Sequence, residues 1–175
     1  ARHTVFGVLS RLSGPMGARL LREWLHRPLR DQSGLRQRYD VVAALIASDG
    51  HVDLREMVRQ MGDMERIVAR IALKSARPRD LAQLGRTLAL LPGFCNKLSA
   101  LDSPLGTMLA SECVGLEATA SLLARAIDPE PAVVLREGGV IAMAYDTQLD
   151  ELRQLNTDVN TVVQDIERRE RDDRR

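Results

Sequence analysis

The sequence predicts an all-α fold: a multi-helix core bundle with one small β-hairpin near 132–142 and a long projecting C-terminal helix. Three observations carry this. Apolar residues recur at steps of three and four over most of the chain, the spacing of a single helix face. Pro and Gly separate many of those stripes, as at Gly14-Pro15, Pro28, Asp49-Gly50, Gly62, Pro78, Pro92-Gly93 and Pro104. The stretch from Ala144 to Arg175 contains neither residue and is rich in helix formers.

Composition sets outer bounds. With 175 residues, 45% apolar content and only 3% aromatic residues, one core filled by aliphatic side chains is expected. The net charge is +1, which favours neither a strong polyanion binder nor an acid-driven partner. Lysine occurs only at Lys74 and Lys97, so nearly all the positive charge is arginine, as a codon bias towards Arg and Ala would produce. Cys95 and Cys113 have neither metal spacing nor a disulfide framework, and they fit a reducing cytoplasm. No apolar run approaches the length of a membrane span, and no membrane partner is expected. A start without Met and a charged end read as a piece of something larger.

In chain order, Val5, Val8, Leu9 and Leu12 mark a short helix, and Ser13-Gly14-Pro15 breaks and restarts the chain. Met16, Leu20, Leu21, Trp24 and Leu25 form one amphipathic face, ended by Pro28, with Trp24 expected as a packing anchor. Asp31 is an N-cap for a helix whose stripe is Leu35, Tyr39, Val42, Leu45 and Ile46. Leu54, Met57, Val58 and Met61 mark the next segment. Gly62 restarts the chain, and Asp63 and Glu65 place negative charge in a first turn, where the helix dipole favours it. Asp63, Glu65, Arg66 and Arg70 read as a cap plus ion pairs spaced along one helix surface. Pro78 opens a helix through Leu81, Leu84, Leu88 and Leu91 that is expected to end at Pro92-Gly93. Ser103-Pro104 opens another that Gly115 interrupts before Ile127.

Asp128-Pro129-Glu130-Pro131 is a rigid connector, and the β-branched runs on either side of Gly138-Gly139 predict the hairpin. No Lys-Ser or Lys-Thr follows the glycines, so they form a turn and not a phosphate loop. Tyr145, Leu149, Leu152, Val159, Val163 and Ile166 then make a heptad-like seam. At 1.5 Å per residue this last helix would reach roughly 45 Å.

Several of these motifs together resemble MutS, the DNA mismatch-recognition ATPase. The resemblance rests on Phe6-Gly7-Val8-Leu9, then Pro15, Met16, Gly17, Ala18, Arg19, Leu20 and Leu21, then Trp24, Leu25, Pro28 and Leu29. It continues through Gly62, Asp63, Met64, Glu65 and Arg66, through Arg77, Pro78 and Asp80, and through the Gly139, Val140 and Ile141 run to Leu149–Arg153. Leu12 and Gly14 replace threonines usual there, Ala144 a Gly and Asp146 an Asn. The resemblance implies the core, or lever, domain of that family: residues 1–143 as the helical body, residues 144–175 as the first lever helix leading toward a clamp domain. It further implies a bacterial cytoplasmic parent whose ATP, magnesium and catalysis lie in another domain. That parent would bind mismatched DNA, a second MutS subunit and MutL-type partners. By itself this chain is expected to be non-catalytic, without a cofactor or metal, and monomeric or a weak homodimer through the lever helix.

The main alternative is a helical nucleic-acid-binding module using Arg-rich surfaces. The 24 acidic residues interspersed with the arginines argue against it, because phosphate binding needs a concentrated basic face. An enzyme is disfavoured as well. His3, His26 and His51 lie in different segments, with neither metal spacing nor a nucleophile–base pair.

Overall fold

Helix starts follow the local capping signals. In the computed structural model, which describes residues 4–133, 135–157 and 159, Thr4 caps α1 (Val5–Leu9) by accepting the Gly7 N–H. Pro15 opens α2 (Pro15–His26) with its φ already set for a helix. Asp31 accepts the Ser33 and Gly34 N–H groups at the head of α3 (Gln32–Ala47). Asp49, in the left-handed region at φ 52°, turns the chain into α4 (Gly50–Gln60). Asp63 caps α5 (Met64–Ala72) through the Arg66 N–H. Pro78 opens α6 (Pro78–Ser99), and Ser103 caps α7 (Pro104–Glu112) through the Gly106 N–H. Gly115, at φ 85°, separates α7 from α8 (Glu117–Ala126).

The architecture is predominantly helical and is organised around α6, against which α4, α5, α7 and α8 all pack. Two clusters sit on this spine. One joins Ile67 of α5 to Leu84, Leu88 and Leu91, with Ala120 and Leu123 of α8 against it. The other joins Leu54 of α4 to Cys95, Leu98, Leu101 and Ala110, with Val41, Ala44 and Leu45 of α3 against it. Close approach needs small residues at two places. A Cβ on Gly85 would lie 3.1 Å from the Leu123 Cβ, and one on Gly106 would lie 3.0 Å from the Leu98 carbonyl oxygen.

Four expectations need correction. First, α6 does not stop at Pro92 but runs through it to Ser99. Proline removes one helix hydrogen bond, a local cost of about 3 kcal/mol. Burial of Leu91 before it and of Cys95 and Leu98 after it holds the helix together. Second, the hairpin near 132–142 does not form. Residues Leu135–Glu137 make a 3-10 turn, and Ile141 bridges Ile127 in antiparallel sense. The hydrogen bonds that a hairpin partner would use are taken: Asp128 N–H donates to the Val140 carbonyl and Ala142 N–H to the Ala126 carbonyl.

Third, α3 faces inward through Val41, Ala44 and Leu45. Tyr39, Val42 and Ile46 of its expected stripe are exposed. Fourth, the terminal helix starts at 147 and not at 144. Ala144 is left-handed at φ 64°, and Asp146 caps the run by accepting the Leu149 N–H. The chain is helical over 147–157 and at 159, and the remainder of the expected lever helix lies outside the described residues.

Candidate functional site

Several side chains of the sequence motifs meet at three polar nodes. At the first, Arg19 of α2 grips the head of α5. Its Nη2 meets Asp63 Oδ1 at 2.5 Å, its Nη1 meets Asp63 Oδ2 at 2.9 Å, and its Nε donates to Glu65 at 2.6 Å. Asp63 thus serves both as helix cap and as one half of a two-pronged Arg–carboxylate pair, the geometry for which guanidinium is suited. These ion pairs join residues 44 and 46 positions apart in sequence, across two helices and not along a single helix surface as expected.

At the second node Arg70 Nη1 meets Asp80 Oδ1 at 2.6 Å, and the Arg77 N–H donates to Asp80 Oδ2 at 3.0 Å. This locks the end of α5 to the head of α6 beside the buried Pro78. The Arg66 backbone joins the first node through its N–H.

The third node fixes the base of the terminal helix. Arg153 Nη2 donates to the Ile141 carbonyl at 2.9 Å, and its Nη1 donates to Asp150 Oδ1 at 3.0 Å. Asp150 Oδ2 accepts the Ala144 N–H at 2.7 Å. Ile141 bridges to Ile127 at the end of α8, and α8 lies on α6. Gly139 precedes this bridge at φ 65°, and Val140 supplies the carbonyl that Asp128 uses.

The remaining motif residues lie on a more open surface. Met16 is half-buried, whereas Pro15, Gly17, Leu20, Trp24, Leu25, Pro28 and Leu29 are exposed. Trp24, expected as a packing anchor, is 40% exposed and carries the Arg38 guanidinium 3.9 Å from its ring centroid. Among the described residues of the seam, only Leu149 is half-buried. Tyr145 precedes the helix, Leu152 is 63% exposed, Val159 is exposed, and Val163 and Ile166 lie outside the described residues.

Sequence reasoning missed Thr87, which is fully buried in α6. Its hydroxyl accepts the Gly62 N–H at 2.9 Å and donates to the Gln83 carbonyl at 2.8 Å, tying the α4–α5 turn to the spine. A threonine among Leu84, Leu88 and Leu91 was the available signal. Asp150 and Arg153 lie within the Leu149–Arg153 motif, whose pattern assigns neither of them a partner.

Electrostatics follow the geometry. Arg19 hydrogen bonds hold the Asp63 carboxyl below its ordinary range, outweighing partial burial. At Asp80 burial pushes the value up, but the Arg77 N–H and the Arg70 guanidinium outweigh it, and the net direction is down. A depressed carboxyl adds stability above its unfolded pKa of about 4. That stability is lost as the pH falls through the lower folded value. Thermal unfolding is therefore expected at progressively lower temperature as the pH drops below that range. Asp63→Asn, which keeps a capping side chain but not the charge, should flatten the decline; an unaltered pH slope in the variant would remove Asp63 from the account.

Among the described residues, no group of His, Cys, Asp and Glu is placed to hold a metal, and no helix is long and apolar enough to cross a membrane. The Gly138-Gly139 turn leads into the Val140–Ile141 segment and not into a helix N-terminus. Compared with protein families, residues 1–170 match the model described as MutS domain III.

Proposed function

The chain belongs to the MutS domain III family, and from that premise we propose that it is the core of a mismatch-repair ATPase, coupling nucleotide state to the regions that grip DNA. One observation supports this most: an unbroken set of polar and apolar contacts from α2 to the terminal helix. It runs from Arg19 to Asp63, through α5 and α6 to α8, then by the Ile127–Ile141 bridge to Arg153. Close-packed elements of this kind pass a displacement on because they switch between discrete arrangements and resist smooth compression.

In this reading residues 1–143 are the body and residues 144–175 the lever. ATP and magnesium are handled by another domain of the parent. Mismatched DNA, a second subunit and MutL-type proteins are the parent's partners, in a bacterial cytoplasm. The chain itself contributes stiffness and no catalysis. Its seam, Leu149, Leu152, Val159, Val163 and Ile166, would lie along a second helix, and in the isolated chain another copy is the natural occupant. A nucleic-acid-binding module is less well supported, because Arg19, Arg70, Arg79, Arg86 and Arg153 are spent on carboxylates and carbonyls of the chain itself.

The test is Arg153→Ala in the full-length parent, reading mismatch-DNA affinity with and without bound nucleotide. Coupling of 1–3 kcal/mol corresponds to roughly a 5–150-fold change in affinity. The variant should keep its nucleotide-free affinity and lose most of that ratio. A ratio equal to that of the unsubstituted protein would end the proposal.

A further inference from the structure

Cys95 and Cys113 are 18 positions apart in sequence yet belong to one place in the fold. Cys95 is buried on α6 in the cluster with Leu54 and Leu98, and Cys113, the C-terminal cap of α7, is half-buried and packs on that cluster. Both are free thiols, and both line a single cavity of about 210 Å³ with Leu91, Asn96, Leu116 and Glu117. A water molecule occupies about 30 Å³ of liquid, so a small oxidant has room there. Two residues beyond Cys113, Gly115 takes a left-handed φ of 85° at the break between α7 and α8, and a Cβ there would meet nothing within 4 Å.

We propose that Cys95 and Cys113 are a peroxide-reactive dithiol that closes to an intramolecular disulfide, joining α6 to the α7–α8 corner. The two sulfurs have different parts. Burial pushes the Cys95 thiol above its ordinary value, with Cys113 and Glu117 adding to the effect, so Cys95 stays protonated and shielded. Cys113 is the outer sulfur. Its thiolate attacks one oxygen of hydrogen peroxide, the O–O bond breaks, and the leaving hydroxide takes up the proton that Cys113 released, giving water and a Cys113 sulfenic acid. The Cys95 sulfur then attacks the Cys113 sulfur. The S–S bond forms, the S–O bond breaks, and the oxygen leaves as a second water carrying the Cys95 proton. Two electrons pass from the thiol pair to one peroxide. In a reducing compartment the bridge would be transient, the usual behaviour of a redox-sensing pair. None of this depends on the coupling role proposed above.

The intact chain, reduced and then exposed to hydrogen peroxide, should lose the mass of two hydrogens and both titratable thiols. A peptide map should show Cys95 linked to Cys113, and a dithiol reductant should restore the starting mass. Cys95→Ser should stop at a sulfenic acid on Cys113 that a cyclic 1,3-dione traps. In Cys113→Ser, Cys95 should remain titratable under the same dose. Thiols that stay titratable in the unsubstituted chain, links only between chains, or oxidation of Cys95 as fast without Cys113 as with it would each overturn the proposal. The mass and map of the unsubstituted chain decide the matter even where a serine variant folds poorly.

Discussion

Leu88→Ala is expected to destabilise the chain by about 2–5 kcal/mol, the range for deleting a buried leucine side chain whose surroundings collapse only in part. Leu88 is 7% exposed and belongs to the α5–α6–α8 cluster with Ile67, Leu84 and Leu91. In urea unfolding the midpoint should fall with the slope unchanged. Leu152→Ala is the matched control, because the same truncation on an exposed surface should stay within about 0.5 kcal/mol. Should Leu152→Ala prove as costly as Leu88→Ala, the seam is covered in solution, and a concentration-dependent midpoint would identify a second copy as the cover.

Gly62→Ala is expected to cost about 1–3 kcal/mol, the usual penalty for forcing an extra carbon into a packed site. The new Cβ would fall 2.4 Å from Gln83 Cγ and 3.1 Å from its Nε2. Gln83 is not free to swing aside: its Nε2 donates to the Gln60 carbonyl and its Oε1 accepts from Arg86. The turn is not free to retreat, because the Gly62 N–H is held by the buried Thr87 hydroxyl. Gln83→Ala removes the obstructing atoms. The double variant should therefore recover most of the loss, giving a coupling energy of opposite sign to the single penalty. Simple additivity would mean that the backbone, not Gln83, resists the methyl group.

Helix starts were legible in the sequence because their signals are local. Asp31, Asp63 and Ser103 accept N–H groups within one turn, Pro15 and Pro78 fix φ at the first helical position, and each sits at the head of the expected helix. What the sequence hid is non-local. Pro92 reads as a stop until the burial on both its sides is known. The β-branched runs near Gly138 read as mutual partners, yet residues 126–128 claim the hydrogen bonds of 140–142. The motif set identified the family, but no periodicity places Arg19 on Asp63, or Arg153 on the carbonyl of Ile141. Those contacts depend on how helices cross, and a stripe of apolar residues does not encode that. The face of α3 differs from its stripe for the same reason: Val41, Ala44 and Leu45 turn inward while Tyr39 and Val42 are exposed.

Pro92 falls at the boundary between the two clusters, with Leu84, Leu88 and Leu91 before it and Cys95 and Leu98 after it. The carbonyl of Leu88 has no helical amide to receive, so one of the rungs that stitch the two halves of α6 together is missing. A bending load should therefore concentrate at this single turn while each half keeps its own grip on neighbouring helices. Amide exchange would then register two separately opening blocks that meet at residue 92, not one uniformly protected rod.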